Sequence, residues 1–523
     1  MTVQGKSLGI KYRIVPYTRG RGLDLACGVA KTWPHFIGVD NYLDWNGRVN
    51  HPETATAVNF SLRMNIDIVG DAFDLGVFAG ASQDFVLASY ILDLARKPKD
   101  ALREWWRVIK QGGYLILYGP CQENIDAQIM GYMTANAGGF DFVENERCEK
   151  GEVFFQVYRK RHDRQQVMVF QEPKPEKTCA VVRYGAFGDM IQATSILTHL
   201  KAEGYHVTMF THARGYEVIQ HDPRIDAFII QDHDQVPNEE LGKYHDYWAT
   251  RFDRFISLCE SVEATLLRLP PMVTYHWPQP ALEMICGADY LDMLHAISDV
   301  PLPPDQRFYP TAKETAWARR ERDKVHGKVA VWVSDGSSVH KYWPYMDNAI
   351  ARILTTSPDW HVFIVGGDMG KMLEAGWENE PRVHKTCGRW GIRETITFAT
   401  MADLVIGPET GVMNAVAMTD VAKIIFLSHS SEANITKYWN NTFALSAKEG
   451  CKKCHKLIFS WEQCSRKSNT ISIGDKKMII EGAECQLNIT LEMFWEAFLK
   501  CLNNAFPSST LFNRENSAAI NAK

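Results

Sequence analysis

The chain lacks a long apolar run. No stretch approaches the roughly 20 residues a membrane-spanning helix needs, and the first twenty residues, with Lys6, Lys11 and Arg13, show no leader-type apolar segment behind those charges. Neither a membrane span nor a secretory signal is expected, and the expected location is cytoplasmic. A charge excess is missing as well: 57 Lys and Arg stand against 62 Asp and Glu, a net charge of -5 with a pI near 6.4. Bulk electrostatics therefore provide no reason to expect nucleic acid, although a local basic patch stays compatible with these numbers. No internal repeat of short period occurs. The 12 cysteines, without a secretory signal, suggest reduced thiols or a metal site rather than a disulfide framework.

What is present is a globular composition spread over 523 residues, enough for about three to four domains. A charged, proline-bearing stretch at 161–178 reads as a linker between a first domain at 1–160 and a second at 179–304. A weaker seam at Val300-Pro-Leu-Pro-Pro-Asp305 opens a third domain at 305–506, and the Ser- and Asn-rich 507–523 reads as a flexible tail.

The chain begins a Rossmann-like pattern twice. In the first, Gly22-Leu-Asp-Leu-Ala-Cys-Gly28 is a short apolar run closing on a small-residue turn, and Phe36-Ile-Gly-Val-Asp40 is a second run ending in a carboxylate. In an open parallel sheet the ligand lies beyond the C-terminal strand ends, where such an acid can accept hydrogen bonds from ribose hydroxyls; Gly28 would let the backbone approach that ligand. There follow Val69-Gly-Asp-Ala72, an apolar run at 84–90, a helix over 98–109 with Ala101, Leu102, Trp105, Val108 and Ile109 at helical spacing, and the turn Gln111-Gly-Gly113. In order and spacing, residues 20–160 resemble the class I S-adenosylmethionine-dependent methyltransferases. The resemblance implies Asp24 and Gly28 at the methionine end of the cofactor, Asp40 on the ribose, and Asp71 with Ala72 beside the adenine. The family's glycine-rich turn is thinned here to Ala-Cys-Gly-Val-Ala, and the position after Leu92 that is often Glu-His in related small-molecule methyltransferases reads Asp93-Leu94.

The second beginning is Cys179-Ala-Val-Val-Arg-Tyr-Gly-Ala-Phe-Gly-Asp189, a buried strand and a two-glycine loop opening a helix. A carboxylate at a helix entrance stabilises the positive end of the helix dipole. Beside a cleft it can also take a proton from an acceptor hydroxyl. Farther on, the strand 329–333 runs into Ser334-Asp-Gly-Ser-Ser338, containing Ser337, with Lys341 close behind. Hydroxyl and backbone donors with a lysine suit phosphate. A later strand ends in Gly407-Pro-Glu-Thr-Gly411, where Glu409, Thr410 and Gly411 sit at a helix start whose amides favour anions. Over 178–500 these features resemble the heptosyltransferase-type glycosyltransferases, two Rossmann-like halves facing across a cleft in the GT-B arrangement. The resemblance implies Asp189 as general base, Lys341 on the diphosphate, and Glu409, Thr410 and Gly411 around a nucleotide-sugar donor; the loop's hydroxyls add Ser337 as a donor-site candidate. Where that family has Asp and then His, this chain carries Glu409 and Asn414.

The expected fold is thus α/β with three Rossmann-like domains. The expected activity is transfer of a heptose-like sugar from a nucleoside diphosphate to a hydroxyl acceptor, a glycan or lipopolysaccharide, beside an S-adenosylmethionine-dependent methyltransferase-like domain. Nucleic-acid base hypermodification and a non-catalytic assembly role are the alternatives. Near the C-terminus Cys451, Cys454, Cys464 and Cys485 could close a structural zinc site, with His455 as an alternative ligand, or stand as unrelated thiols or a disulfide. Trp105, Trp106 and Trp317 read as packing residues, and Tyr247-Trp248 and Tyr275-His-Trp277 as a candidate acceptor platform.

Overall fold

The computed structural model describes residues 10–27, 31–40, 66–120, 125–136, 139–146, 153–161, 175–259, 277–278, 280–281, 284, 287–338, 341–428, 430–449, 466–473 and 476–505. They form two compact units, Met1–Glu176 with Ile229–Asp253, and Lys177–Phe228 with Arg254–Lys523. The architecture is mixed α/β and mostly parallel, as the sequence led one to expect.

In the first unit, β1 (Gly22–Leu25), β2 (Ile37–Asp40), β3 (Ile68–Val69), β4 (Gln83–Ser89), β5 (Ile109–Pro120), β6 (Phe140–Glu146) and β7 (Val153–Lys160) form one sheet in the order β3-β2-β1-β4-β5-β7-β6. β1 to β5 are parallel and β7 runs antiparallel between β5 and β6. The chain moves outward from β1 to β3 and then returns to place β4 on the other side of β1. That reversal opens a crevice beyond the ends of β1 and β4, where open α/β sheets bind ligands. Helix α1 (Pro98–Val108) starts on a proline, which needs no N–H at that position, and buries Ala101, Leu102, Trp105, Trp106 and Val108. Gln111-Gly-Gly113 is not a separate turn leading into a strand. It is an irregularity inside the continuous β5, where the pairing slips from Gln83–Ile109 to Phe85–Tyr114. Gly112 takes φ +81 there, a conformation that favours glycine.

The helix Asn238–Ala249 belongs to this first unit although it follows the second beginning in sequence. Its Glu240 accepts hydrogen bonds from Lys11 Nζ (2.6 Å) and Tyr12 (2.9 Å), and Gln235, just before it, donates to the carbonyl of Val15 at 2.7 Å.

The second unit contains β8 (Thr178–Val182), β9 (His206–His212) and β11 (Arg254–Ser257), in a sheet ordered β10-β9-β8-β11 whose edge strand β10 (Ala227–Gln231) spans the unit boundary. It also contains a six-stranded sheet of β12 (Lys328–Val333), β13 (Trp360–Val365), β14 (Val383–Lys385), β15 (Leu404–Pro408), β16 (Ala422–Leu427) and β17 (Thr442–Ser446). That sheet is parallel throughout, in the order β14-β13-β12-β15-β16-β17. Its central strands are almost wholly buried, which accounts for their largely apolar sequences; Lys423 inside β16 is accommodated by donating to the Thr419 and Val421 carbonyls. Helices α2 (Phe187–Ala193), α3 (Ala312–Arg322), α4 (Ile392–Ala399) and α5 (Gly411–Val416) contribute to one hydrophobic core reaching from Cys179 to Trp439. A hairpin of β18 (Arg466–Ile473) and β19 (Lys476–Ala483) precedes the last helix, Leu491–Ala505.

Candidate functional sites

In the first unit the crevice is framed by acids. Asp24 lies in β1, is 3% exposed, and accepts a hydrogen bond from the Thr32 amide at 2.6 Å. Burial, with the nearby Asp40 charge adding to it, raises its carboxyl to about 6, because a buried carboxylate loses its hydration. Asp40 ends β2 one strand away. Asp67 accepts from the Gly38 amide (2.7 Å) and from Lys31 (2.9 Å). Asp71 closes a local turn onto the Phe73 amide, and the buried Ala72 gives its carbonyl to the Trp105 indole at 2.7 Å. Gly28 lies outside the described residues. Cys27 is pushed up, first by burial and then by Asp24, Asp40 and Asp67, so its thiol is no nucleophile. The sequence pattern gave no sign of one feature: Ala26, beyond β1, and Tyr90, beyond β4, both have positive φ (52 and 54). The left-handed backbone on both sides of the crevice is held without glycine, and such strain concentrates at ligand sites.

The site in the second unit is organised by two helix starts. α2 begins after the loop that follows β8, and Asp189 Oδ2 accepts from the Ala186 amide at 2.7 Å, the capping role its position suggests. Its other oxygen faces the buried Arg183 at 3.4 Å, and Arg183 also donates to the Leu258 carbonyl at 2.9 Å. Arg183 was not singled out from the sequence; a cation six residues before the acid was the available signal. α5 is capped by the Thr410 hydroxyl, which accepts from the Met413 amide at 3.4 Å. The two starts meet. A Cβ at Gly411 would come within 2.6 Å of Phe187 Cβ and 3.2 Å of the Gly188 nitrogen, so only glycine allows this approach. Asn414 completes the seam: its side chain donates to the Thr410 carbonyl (3.0 Å) and accepts from Gln192 (3.2 Å), and its carbonyl accepts from Gln306 (2.6 Å).

Glu409 faces inward. It is 5% exposed, and its carboxylate accepts from the amide and hydroxyl of Ser428 (3.0 and 2.9 Å) and from the Ser430 hydroxyl, tying the end of β15 to the end of β16. Lys341 is also buried. Its ammonium donates to the Glu409 carbonyl at 2.7 Å and approaches the exposed Ser337 hydroxyl at 3.5 Å, so the loop after β12 is pinned to the start of α5. Asp335, in that loop and not picked out from the sequence, accepts from the Gly367 amide at 3.1 Å, and burial raises its pKa.

Of the four candidate zinc ligands, Cys451, Cys454 and Cys464 lie outside the described residues, as does His455, and Cys485 is buried. Among the described residues no group of three or more His, Cys, Asp or Glu side chains is placed to hold a metal. Tyr247 and Trp248 lie on the helix Asn238–Ala249, within the first unit, where Tyr247 packs against Tyr12 and under Arg251. Tyr275 and His276 lie outside the described residues. No described helix is long and apolar enough to cross a membrane.

Residues 23–117 match the family model described as Methyltransferase domain. No curated protein matches the chain. Among solved structures, a family 9 glycosyl transferase from Veillonella parvula is similar at 15% identity and a TM-score of 0.47, over 64% of this chain and 99% of that one. The ADP-heptose lps heptosyltransferase II of E. coli is similar at 11% identity and a TM-score of 0.43, over 63% and 99%. The YcgJ protein of Bacillus subtilis is similar at 15% identity and a TM-score of 0.24, over 30% of this chain and 98% of that one.

Proposed function

We propose that the second unit is a glycosyltransferase that moves a heptose-like sugar from a nucleoside diphosphate donor to a hydroxyl acceptor, and that the first unit binds S-adenosylmethionine. The observation that supports the first part is the contact of the two helix starts, where Phe187 and Gly188, just before Asp189, lie against Gly411, just after Thr410. In this reading Asp189 takes the proton of the acceptor hydroxyl, and the guanidinium of Arg183 keeps the carboxylate aimed. The amides at the start of α5 and the hydroxyls of Ser337 and Thr410 face the diphosphate, whose leaving charge they would stabilise. Lys341 acts mainly by fixing the loop after β12, since its ammonium is already bonded to the Glu409 carbonyl. Glu409 in turn shapes the strand end rather than touching the donor.

For the first unit, the residues fit the cofactor by charge. S-adenosylmethionine is a sulfonium carrying an ammonium, and a buried Asp24 raised to about 6 beside Asp40 is a site short of positive charge. Asp24 would face the methionine end and Asp40 the ribose; the methyl group is the cofactor's contribution. Methylation of the same glycan is the economical link between the two units, in a cytoplasmic protein.

The test is release of nucleoside diphosphate from a panel of nucleotide sugars, with and without hydroxyl acceptors, by the full chain and by Asp189→Asn. Acceptor-dependent release is expected from the wild type, reduced by about a hundredfold or more in the variant. Equal turnover by both proteins would remove Asp189 as the base, and absence of donor binding by calorimetry would leave the second unit a scaffold.

A further inference from the structure

A cavity of about 460 Å³ lies on the outer strands of the six-stranded sheet, lined by none of the residues assigned above. Phe363 and His384 are direct neighbours across β13 and β14. Their rings are nearly parallel with centroids 4.1 Å apart, and Trp390 continues the stack 5.9 Å beyond Phe363. Trp317 of α3 closes edge-on against Trp390 at 5.1 Å. The cavity opens on Phe363, His384 and Trp390, so one side of it is an aromatic wall. Burial, with His361 beside it, holds His384 down to about 4, and the ring is neutral at ordinary pH.

The rest of the lining is mixed, with Glu321 and the small side chains of Val325, Val383 and Thr386 beside three cations. Lys324 is bound to Glu321 at 2.6 Å and Lys385 to Glu378 at 2.7 Å. Arg389 differs: its side chain is exposed, lines the cavity, and makes no ion pair among the described residues. Its backbone is nonetheless fixed, for its amide donates to the Thr386 carbonyl at 3.0 Å and that of the preceding Gly388 to the Gly366 carbonyl at 2.9 Å. A stacked aromatic wall and one uncommitted guanidinium on an anchored turn are two different recognition elements within one enclosure.

We propose that this cavity binds a planar aromatic ring bearing one anionic group, the ring against Trp390 and the anion on Arg389. The size is in the range of small-ligand sites, about 300–1,000 Å³. An aromatic face with a guanidinium satisfies the flat apolar body and the charged end of such a ligand together. Both an aromatic carboxylate and a nucleoside monophosphate have this chemistry. The site is independent of the glycosyl-transfer reading, since it shares no residue with it.

Calorimetric titration of the full chain with indole-3-acetate and with AMP distinguishes the two sources, with indole and cyclohexanecarboxylate as the uncharged and non-aromatic controls. At least one of the aromatic anions is expected to bind, with both controls weaker by about tenfold or more. Arg389→Ala is expected to weaken binding by about tenfold, the loss of one charge-assisted contact, and Arg389→Lys to restore part of it. Because Arg389 is exposed, an unchanged melting temperature will show that the variants fold. The proposal is overturned if neither anion binds, if cyclohexanecarboxylate or indole binds as well, or if the affinity survives Arg389→Ala, which would put the ligand elsewhere, the proposed donor site included.

Discussion

Replacing Asp24 with asparagine is expected to stabilise the first unit and, under the proposed cofactor reading, to weaken binding of S-adenosylmethionine. Asp24 is 3% exposed and its carboxyl is raised to about 6 from 3.8, by burial first and by the Asp40 charge in addition. A raised carboxyl binds its proton more tightly in the folded state. The favourable contribution is therefore complete below about pH 4 and is lost as the pH rises through about 6. With a tenfold change in equilibrium for each pH unit, the ionised side chain costs the fold about 3 kcal/mol at pH 8 and roughly half of that at pH 5. Asparagine keeps an acceptor for the Thr32 amide and carries no charge. Asp24→Asn should then exceed the wild type by up to about 3 kcal/mol at pH 8, with the advantage falling to roughly half at pH 5. Hydrogen exchange of the β1 and β4 amides in the full chain, followed from pH 5 to 8 under conditions where exchange reports opening free energy, measures this locally. Calorimetry with S-adenosylmethionine on the same samples should show weaker binding by the variant. A stability difference that stays flat across this range, or a variant less stable at pH 8, would refute the reasoning.

Two further substitutions probe the backbone. Ala26→Gly relieves a left-handed alanine at φ 52, which costs about 1–2 kcal/mol, while glycine returns roughly half of that as unfolded-chain entropy. A net gain of about 0.5–1 kcal/mol, read as slower exchange at β1, is expected; faster exchange or no change at all would mean the turn is not strained. Gly411→Ala places a methyl group within 2.6 Å of Phe187 Cβ, forcing α2 and α5 apart at a cost of about 1–3 kcal/mol. Calorimetric melting of the full chain should show the loss, and an unaltered transition would mean that the two helix starts are not in contact.

Much of the local architecture was legible because it depends on neighbours in sequence. The strand-turn-helix beginnings at Gly22 and Cys179, the α1 face carrying Trp105, and the capping position of Asp189 all follow from spacing over a few residues. The commitments of Lys341 and Glu409 were not legible. Lys341 in a loop with Ser337 suggests a free charge for phosphate, but its partner is a carbonyl 68 residues away, and the carboxylate of Glu409 is occupied by serines 19 and 21 residues on. Gln111-Gly-Gly113 looked like a turn because two glycines usually end an element; in place, the sheet continues through them and Gly112 absorbs the slip in register. The helix Asn238–Ala249 lies between strands of the second beginning, yet Lys11, Tyr12 and Val15 hold it in the first unit.

By itself, the sequence determined that this protein is α/β, that it starts a parallel sheet twice, and which acids fall at the strand and helix ends, since apolar runs, small-residue turns and capping positions are short-range properties. The tertiary structure decided the rest: which of those polar groups face a crevice and which are spent on the protein's own backbone. It buried Asp24 beside Asp40, brought Gly188 to Gly411, turned Glu409 and Lys341 inward, and left Arg389 at the mouth of an aromatic cavity. The reason is that hydrogen-bond satisfaction and desolvation depend on which distant segments arrive at a group, and no local pattern specifies that arrival.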